Sequence, residues 1–258
     1  AATFGLTVFL HADDAALSAN GCIHEGELST RLGLPGIPQA AETVAVARDL
    51  ALIQQTGVRA HFCRLTTHHA VRMVARAQFD GVPVSADVAV PHLYLSEVDT
   101  VDFGADYHFI PPLRTQEDRE GLRKGLLSGT VSALCSDHQP HEPDAKLAPF
   151  PATEPGASGV DSLLSLTLKL VDEDQNLLAD AIARVTSGPA KILGIPYGDL
   201  AVGRAADLCI YAPDSNWRLD ETSMNSQGKN TPFRGWEMPG RVRYTLRDGQ
   251  IIFSSENP

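Results

Sequence analysis

Short apolar runs alternate with longer segments of helical pattern along most of the chain, and this alternation constrains the fold more than any other feature. It predicts strands over residues 4–10, 59–65, 82–89 and 131–135. It predicts helices over residues 39–55, 67–79, 117–127, 160–171 and 177–186. Strands separated by helices are typical of βαβ units, in which the strands pair in parallel. The sequence therefore predicts an α/β fold built on a parallel sheet.

Beyond residue 195 the pattern changes to short strands separated by Gly and Asp turns. Strands are predicted over residues 206–211, 241–246 and 250–253. Residues 216–240 are rich in Asn, Ser, Gly and Pro, which predicts a long surface loop. We therefore divide the chain into a domain of residues 1–195 and part of a small β-domain, residues 196–258.

The charge and hydropathy of the chain exclude several classes of partner. Acidic residues outnumber basic ones by 32 to 21, and no cluster of Lys and Arg could follow a phosphate backbone. No apolar run reaches the roughly 18 to 20 residues that a membrane span requires, and the first residues lack the basic segment of a signal peptide. We expect a cytoplasmic protein that binds neither nucleic acid nor membrane.

An acid and two histidines follow the strand predicted over residues 131–135, in the stretch Ser136–His141. In α/β barrels the carboxyl ends of the strands point into the catalytic pocket. A carboxylate there can bind a metal and also act as general base toward a metal-bound water, which makes Asp137 the first candidate. The alternative is that Asp137 caps a loop and that His138 and His141 are surface residues.

Two other predicted strands also end in residues that can bind ions. His11 ends the first strand and is a candidate metal ligand, although a histidine there can equally be a hydrogen-bonded structural residue. Arg64 ends the next strand, and its guanidinium stays protonated, so it cannot donate a lone pair to zinc. Arg64 is expected either to pair with a carboxylate such as Asp87 or Asp137, or to bind the carboxylate of a substrate.

Several motifs occur together in a fixed order, and together they resemble dihydroorotase, a member of the amidohydrolase superfamily. They are the strand ending in His11, the loop 26–38 followed by Ala41 and Glu42, Pro111–Arg114, Ser136–His141, and Asn230–Phe233 with Gly235. The resemblance runs nearly from end to end. It implies the C-terminal half of a (β/α)8 TIM-type barrel plus part of a small β-sandwich domain. It also implies an N-terminal half with an HxH zinc motif, so we expect the chain to be part of a larger molecule.

The resemblance assigns roles to individual positions. Asp137 matches the family's zinc ligand and general base, His11 matches a zinc ligand, and His141 matches a histidine that contacts the substrate. The next family ligand, the second histidine of an HxxH pattern, falls on Arg64. The asparagine that usually precedes Pro-Pro-Leu-Arg falls on Ile110, which cannot form a side-chain hydrogen bond.

Two hypotheses follow from this resemblance. The first is a dihydroorotase-like protein of pyrimidine biosynthesis with a degenerate site and no bound zinc, closest to the subunits that associate with aspartate transcarbamoylase. The second is an active zinc dihydroorotase that interconverts N-carbamoyl-L-aspartate and L-dihydroorotate, with Arg64 as a substrate-binding residue. A hydantoinase or allantoinase fits the motifs less well. We also expect the protein to form a homo-oligomer.

Overall fold

The computed structural model describes residues 1–174 and 178–255, so the helix predicted over 177–186 begins at a residue outside the described ones. Internal contacts divide the chain into two compact units. One comprises Ala1–Val160 with Ser226–Pro232, and the other comprises Asp161–Asn225 with Phe233–Pro258. This division differs from the boundary predicted between residues 195 and 196, which stays a prediction.

The strands and helices of the first unit alternate as the sequence predicts. Its strands are β1 (Thr7–His11), β2 (Ile23–His24), β3 (Gly36–Ile37), β4 (Arg59–Cys63), β5 (Val84–Ala89) and β6 (Ala133–Cys135). Its α-helices are α1 (Ala15–Ser18), α2 (Glu27–Leu32), α3 (Gln39–Thr56), α4 (His68–Phe79), α5 (Pro91–Tyr94) and α6 (Gln116–Leu127). Short 3₁₀ helices lie at Ala2–Phe4, Glu97–Thr100, Ala105–Tyr107, Pro143–Lys146 and Phe150–Ala152.

The main sheet of this unit is parallel. In the described part of the chain its strands are ordered β1, β4, β5, β6, and every neighbouring pair runs in parallel. The short strands β2 and β3 form a separate parallel pair. Because parallel strands place their carboxyl ends at one edge, the sheet brings the residues that follow its strands together.

The two faces of this sheet differ in chemistry. Side chains alternate between faces along a strand, and one face carries Ala60, Phe62, Ala86 and Val88, each no more than 2% exposed. The other face carries His61, Cys63, Ser85, Asp87 and Cys135. The apolar face forms the core, whereas the polar face continues into the carboxyl edge of the sheet.

Helices α4 and α6 approach each other closely at a glycine. A Cβ placed on Gly121 of α6 would lie 2.1 Å from the Cβ of His68, the first residue of α4. Real Cβ atoms do not come this close, so the contact requires glycine. The approach brings the N–H of His68 to Oδ1 of Asp118, which accepts it at 3.0 Å.

The second unit is mixed. It contains α7 (Val160–Asp174), which begins at the last residue of the first unit, and α8 (Leu178–Ala183) and α9 (Ser187–Leu193). Its strands are β7 (Leu208–Ala212), β8 (Trp217–Arg218), β9 (Glu237–Met238), β10 (Arg241–Arg247) and β11 (Gln250–Ser254). Within the described residues, β10 pairs antiparallel with both β7 and β11, and β8 pairs with β9.

The prediction of a long surface loop over residues 216–240 is wrong. The segment contains the β8–β9 pair, and Leu219, Phe233 and Met238 are at most 1% exposed. Glycine, asparagine and proline mark changes of chain direction, which occur inside a protein as well as at its surface.

No helix in the described residues has both the length and the apolar character needed to cross a membrane.

Candidate functional site at the carboxyl edge of the sheet

The predicted site residues on three strand ends lie at the same edge of the sheet. His11 at the end of β1 is in register with Cys63 at the end of β4. Arg64, the next residue after Cys63, therefore lies at the same edge as His11. Ala89 is in register with Cys135, which places Asp137 just beyond the end of β6. We call this group of strand ends, with His11, Arg64 and Asp137, the carboxyl edge.

Arg64 and Asp137 form an ion pair there. Nη1 of Arg64 donates to Oδ1 of Asp137 at 2.8 Å, and Nε2 of Gln139 donates to the same oxygen at 3.1 Å. The side chain of Asp137 is 8% exposed and that of Arg64 is 25% exposed. Among the described residues, nothing donates to the buried Oδ2 of Asp137. Of the two alternatives for Arg64, the structure shows the pairing with a carboxylate, Asp137, and substrate binding by Arg64 stays a prediction.

Both members of the pair have an unusual main chain. Arg64 has a φ of 55° and Asp137 a φ of 44°, which is the left-handed region that side chains with a Cβ seldom adopt. Such residues cluster at functional sites when the surrounding structure holds them in place. Here the left-handed turns direct both side chains toward each other after their strands end.

Asp87 holds the main chain at Arg64. Its Oδ1 accepts the N–H of Arg64 at 2.8 Å, and its Oδ2 is 2.8 Å from Nε2 of His61. Nδ1 of His61 is in turn 2.8 Å from the hydroxyl of Ser85. His61 is 2% exposed and Asp87 is 8% exposed. A buried chain of hydrogen bonds therefore runs from the middle of the sheet to the carboxyl edge.

Glu42 holds the residues that follow Arg64. Its two carboxylate oxygens accept the N–H and the hydroxyl of both Thr66 and Thr67, at 2.6 to 2.9 Å. Thr67 also caps α4 by accepting the N–H of Ala70. A buried carboxylate is stable when hydrogen bonds of this kind satisfy it. Glu42 thereby fixes the connection from β4 to α4.

Arg114, from the Pro111–Arg114 motif, is a structural residue in this chain. It is 4% exposed, and it donates to Oγ1 of Thr66 at 3.2 Å and to Nδ1 of His24 at 3.0 Å. Because a guanidinium only donates, Nδ1 of His24 is unprotonated. Burial, together with the charge of Arg114, lowers the pKa of His24 to about 4.

His11 and Ile110 line one cavity of about 150 Å³ beside the carboxyl edge, together with Asp13, Glu42 and Arg114. Burial lowers the pKa of His11, and the positive charge of Arg64 lowers it further. His11 is therefore neutral at neutral pH and has a lone pair to offer. Ile110 adds an apolar wall to this cavity, in which Asp13, Glu42 and Arg114 already have hydrogen-bond partners.

The loop that carries His138 and His141 is anchored by Asn230. The N–H of His141 donates to Oδ1 of Asn230 at 2.8 Å, and Nδ2 of Asn230 donates to the carbonyl of Gln139 at 3.0 Å. Nε2 of His141 donates to the carbonyl of Pro155 at 2.9 Å. The N–H of Gly159 donates to Nδ1 of His138 at 3.1 Å. Both histidines are therefore tied to the main chain, and the substrate contact of His141 stays a prediction.

His61, Cys63 and Asp87 form a candidate metal-binding group. Each offers one ligand atom, and these atoms lie within 4.8 Å of one another. The ring nitrogens of His61 already have partners in Ser85 and Asp87. Burial and the charge of Asp87 raise the pKa of the Cys63 thiol to about 11, so the sulfur is protonated at neutral pH. In the structure, therefore, His61 and Asp87 are held by hydrogen bonds to Ser85 and to each other, and Cys63 carries a protonated sulfur.

Comparison with known proteins identifies the family. The model of the amidohydrolase family matches residues 1–252. The chain belongs to the amidohydrolase family. A dihydroorotase-like protein of Pseudomonas putida is 49% identical to this amidohydrolase over 256 residues, 99% of this chain and 60% of its own length. A dihydroorotase of Syntrophotalea carbinolica is 42% identical over 255 residues, 98% of this chain and 60% of its own.

The solved structure of L-hydantoinase (dihydropyrimidinase) from Arthrobacter aurescens resembles this amidohydrolase with a TM-score of 0.87 at 24% identity. The matched region covers 98% of this chain and 58% of the hydantoinase chain. At 24% identity the likeness concerns the fold alone. The chain spans about 60% of the length of the curated relatives named above. The predicted fold class, part of an α/β barrel with a small sheet domain, and the resemblance to dihydroorotases are confirmed.

Sequence reasoning gave no role to several residues that organise this amidohydrolase's carboxyl edge. Glu42, His61 and Arg114 act through contacts between distant parts of the chain. The one available signal was polarity: each lies in or beside a segment of otherwise small or apolar residues, where an unpaired charge would be costly.

Proposed function

We propose that this amidohydrolase is a dihydroorotase-like protein of pyrimidine biosynthesis whose metal site is degenerate and which acts together with aspartate transcarbamoylase. The observation that carries the proposal is the ion pair between Arg64 and Asp137 at 2.8 Å. By the resemblance, these two positions belong to two zinc ligands of a dihydroorotase. In this chain the first position holds an arginine, and this cation is ion-paired to the aspartate at the second position.

The residues present do not fit a catalytic zinc at the carboxyl edge. Oδ1 of Asp137 accepts hydrogen bonds from Arg64 and Gln139, so among the described residues of this edge His11 and the second oxygen of Asp137 are the atoms left to bind a metal. A dication held about 4 Å from the guanidinium would be repelled by about 8 kcal/mol at an effective dielectric constant of about 20.

Ile110 is a second argument against efficient hydrolysis. It lines the cavity beside His11 at the position where the resemblance expects an asparagine. A substrate amide or carboxylate that lost this partner would be bound less tightly by about 1 to 3 kcal/mol. The loss at Ile110 is independent of the loss of the ligand at position 64.

An active zinc dihydroorotase, interconverting N-carbamoyl-L-aspartate and L-dihydroorotate, is the second candidate. It is favoured by the buried Oδ2 of Asp137, which has no partner in the described residues, and by the neutral state of His11. In that case Arg64 would bind a substrate carboxylate and would have to leave Asp137.

The two candidates are separated by zinc analysis and a dihydroorotate hydrolysis assay on the full-length protein and its Arg64→His variant. The degenerate site predicts no stoichiometric zinc and no turnover in the unmodified protein. Stoichiometric zinc with ordinary turnover in the unmodified protein would refute it. Arg76→His, which changes an exposed arginine in an i,i+4 pair with Asp80, is the matched control and should change neither quantity.

The partnership is tested separately, because binding and activity can coexist. We expect the full-length protein to co-purify with aspartate transcarbamoylase and to co-elute with it on size-exclusion chromatography at a mass above that of either protein alone. Independent elution of the two proteins at micromolar concentration would remove the partner from the proposal. The mass of the protein alone tests the expected homo-oligomer.

A further inference from the structure

We propose that Asp87 is a positioning residue for Arg64: its carboxylate fixes the main chain at residue 64 and so directs the guanidinium onto Asp137. The inference rests on the proposed function, because it names the residue that keeps the carboxyl edge closed to a metal. The residue that keeps the edge closed to a metal is therefore Asp87 on strand β5 as well as Arg64 itself.

The contact between Asp87 and Arg64 is with the main chain. Oδ1 of Asp87 accepts the N–H of Arg64 at 2.8 Å, at the residue where the chain takes its left-handed turn with a φ of 55°. A left-handed residue with a Cβ is strained, so it persists where the surrounding structure holds it. The hydrogen bond to a charged acceptor is a strong one, and it holds this turn.

Asp87 is itself held in place by His61. Its Oδ2 accepts from Nε2 of His61, and Nδ1 of His61 lies 2.8 Å from the Ser85 hydroxyl. His61 is 2% exposed and lies between the two partners. The carboxylate therefore has one orientation, and it presents Oδ1 to residue 64.

The chain is fixed again just after Arg64. Glu42 accepts the N–H groups of Thr66 and Thr67 at 2.8 and 2.9 Å. Residue 64 thus lies between two anchored points, Asp87 on its own N–H and Glu42 two residues later. The direction of its side chain is a property of the main chain, so a histidine at position 64 would also point toward Asp137.

The direct test observes the Arg64 guanidinium by NMR in full-length protein labelled with ¹⁵N and ¹³C at arginine. An ion-paired guanidinium rotates slowly and gives separate Nη signals. We expect these signals in the unmodified protein, their collapse into one averaged signal in Asp87→Ala, and their retention in Asp87→Asn, whose amide oxygen still accepts the N–H. Separate signals that survive in Asp87→Ala would overturn the inference.

Asp99→Ala is the matched control. Oδ2 of Asp99 accepts the N–H of Ser96 at 2.8 Å, the same kind of contact at the same distance but away from the carboxyl edge. The Arg64 signals should be unchanged in this variant. Their collapse would mean that any lost carboxylate loosens Arg64, which would also overturn the inference.

A double-mutant cycle tests the same link without NMR. Arg64→Met keeps the N–H that Asp87 accepts and removes only the guanidinium. If Asp87 acts by directing that guanidinium, Asp87→Ala and Arg64→Met are coupled by roughly tenfold in the folding equilibrium constant. Additive effects would contradict the proposal. If Asp87→Ala does not fold, Asp87→Ser takes its place in the same cycle.

This inference and the proposed function fail in different ways. Turnover with bound zinc in the unmodified protein refutes the degenerate site, whatever the Arg64 signals show. Independence of Arg64 from Asp87 refutes the positioning role alone and leaves the degenerate site standing.

Discussion

The guanidinium of Arg64 and the carboxylate of Asp137 meet at 2.8 Å after two strands of one parallel sheet that are not neighbours. β5 lies between their strands, and Asp87 on β5 accepts the N–H of Arg64. The ion pair therefore spans β5, and Asp87 on β5 holds the main chain of Arg64. Each of the following predictions tests a contact in or around this arrangement.

Arg64→Met should destabilise the protein by about 2 to 3 kcal/mol. It leaves the carboxylate of Asp137 buried and unpaired, and the loss falls below that of a fully buried pair because a quarter of the Arg64 side chain is exposed. Urea unfolding measures the effect. Adding Asp137→Asn should recover part of the loss. The control Arg76→Met, in an exposed pair with Asp80, should stay within about 0.5 kcal/mol of the unmodified protein.

Glu42→Gln should cost about 2 to 3 kcal/mol of unfolding free energy. The Glu42 carboxylate accepts four hydrogen bonds, and the amide nitrogen of glutamine would face two donors on Thr66 or on Thr67. Chemical denaturation of Glu42→Gln and of Glu117→Gln makes the comparison. Glu117 has a side chain that is 81% exposed and should tolerate the change. Equal stabilities for the two variants would show that the four contacts contribute little.

The stability of the protein should fall as the pH drops from about 6.5 to about 4. Burial and the charge of Arg114 lower the pKa of His24 to about 4, and burial and the charge of Lys146 lower that of His108 to about 4. In this window the unfolded chain binds protons that the folded protein does not, so each histidine removes about 1.4 kcal/mol per pH unit. Above pH 6.5 neither contributes a slope.

His24→Asn tests the contribution of one histidine to that slope. The asparagine oxygen can accept from Arg114 where Nδ1 does, but it does not titrate. Unfolding free energies measured at several pH values should give a shallower acid slope for His24→Asn than for the unmodified protein. An unchanged slope would mean that His24 is already protonated or exposed in the folded state.

Gly121→Ala should destabilise the protein although alanine favours helices. The new Cβ would lie 2.1 Å from the Cβ of His68, so α4 and α6 would have to separate. Overpacking of this kind costs about 1 to 3 kcal/mol, more than the roughly 1 kcal/mol that alanine gains over glycine in a helix. Thermal unfolding compares it with Lys124→Ala, an exposed position on the same helix. A stabilised Gly121→Ala variant would contradict the close approach.

The ends of the strands could be predicted from the sequence, whereas the hydrogen bonds that join His61, Asp87 and Arg64 could not. An apolar run followed by Asp137, and another followed by Arg64, locate two ends of parallel strands, and the pairing of an arginine with an acid follows from their charge. The role of Asp87 depends on the register between β4 and β5, in which Phe62 lies opposite Ala86. Residues 216–240 were misassigned because their composition reports turns and does not report burial.

The difference between the two faces of the main sheet affects how such a chain can change over evolutionary time. Phe62 and Val88 are buried on one face, while Arg64, Asp87 and Asp137 form a polar network on the other face and its edge. Substitutions in the polar network change stability through lost hydrogen bonds and ion pairs, but they change none of the apolar side chains of the opposite face. A lineage can therefore change the residues of this edge and keep a protein that still folds.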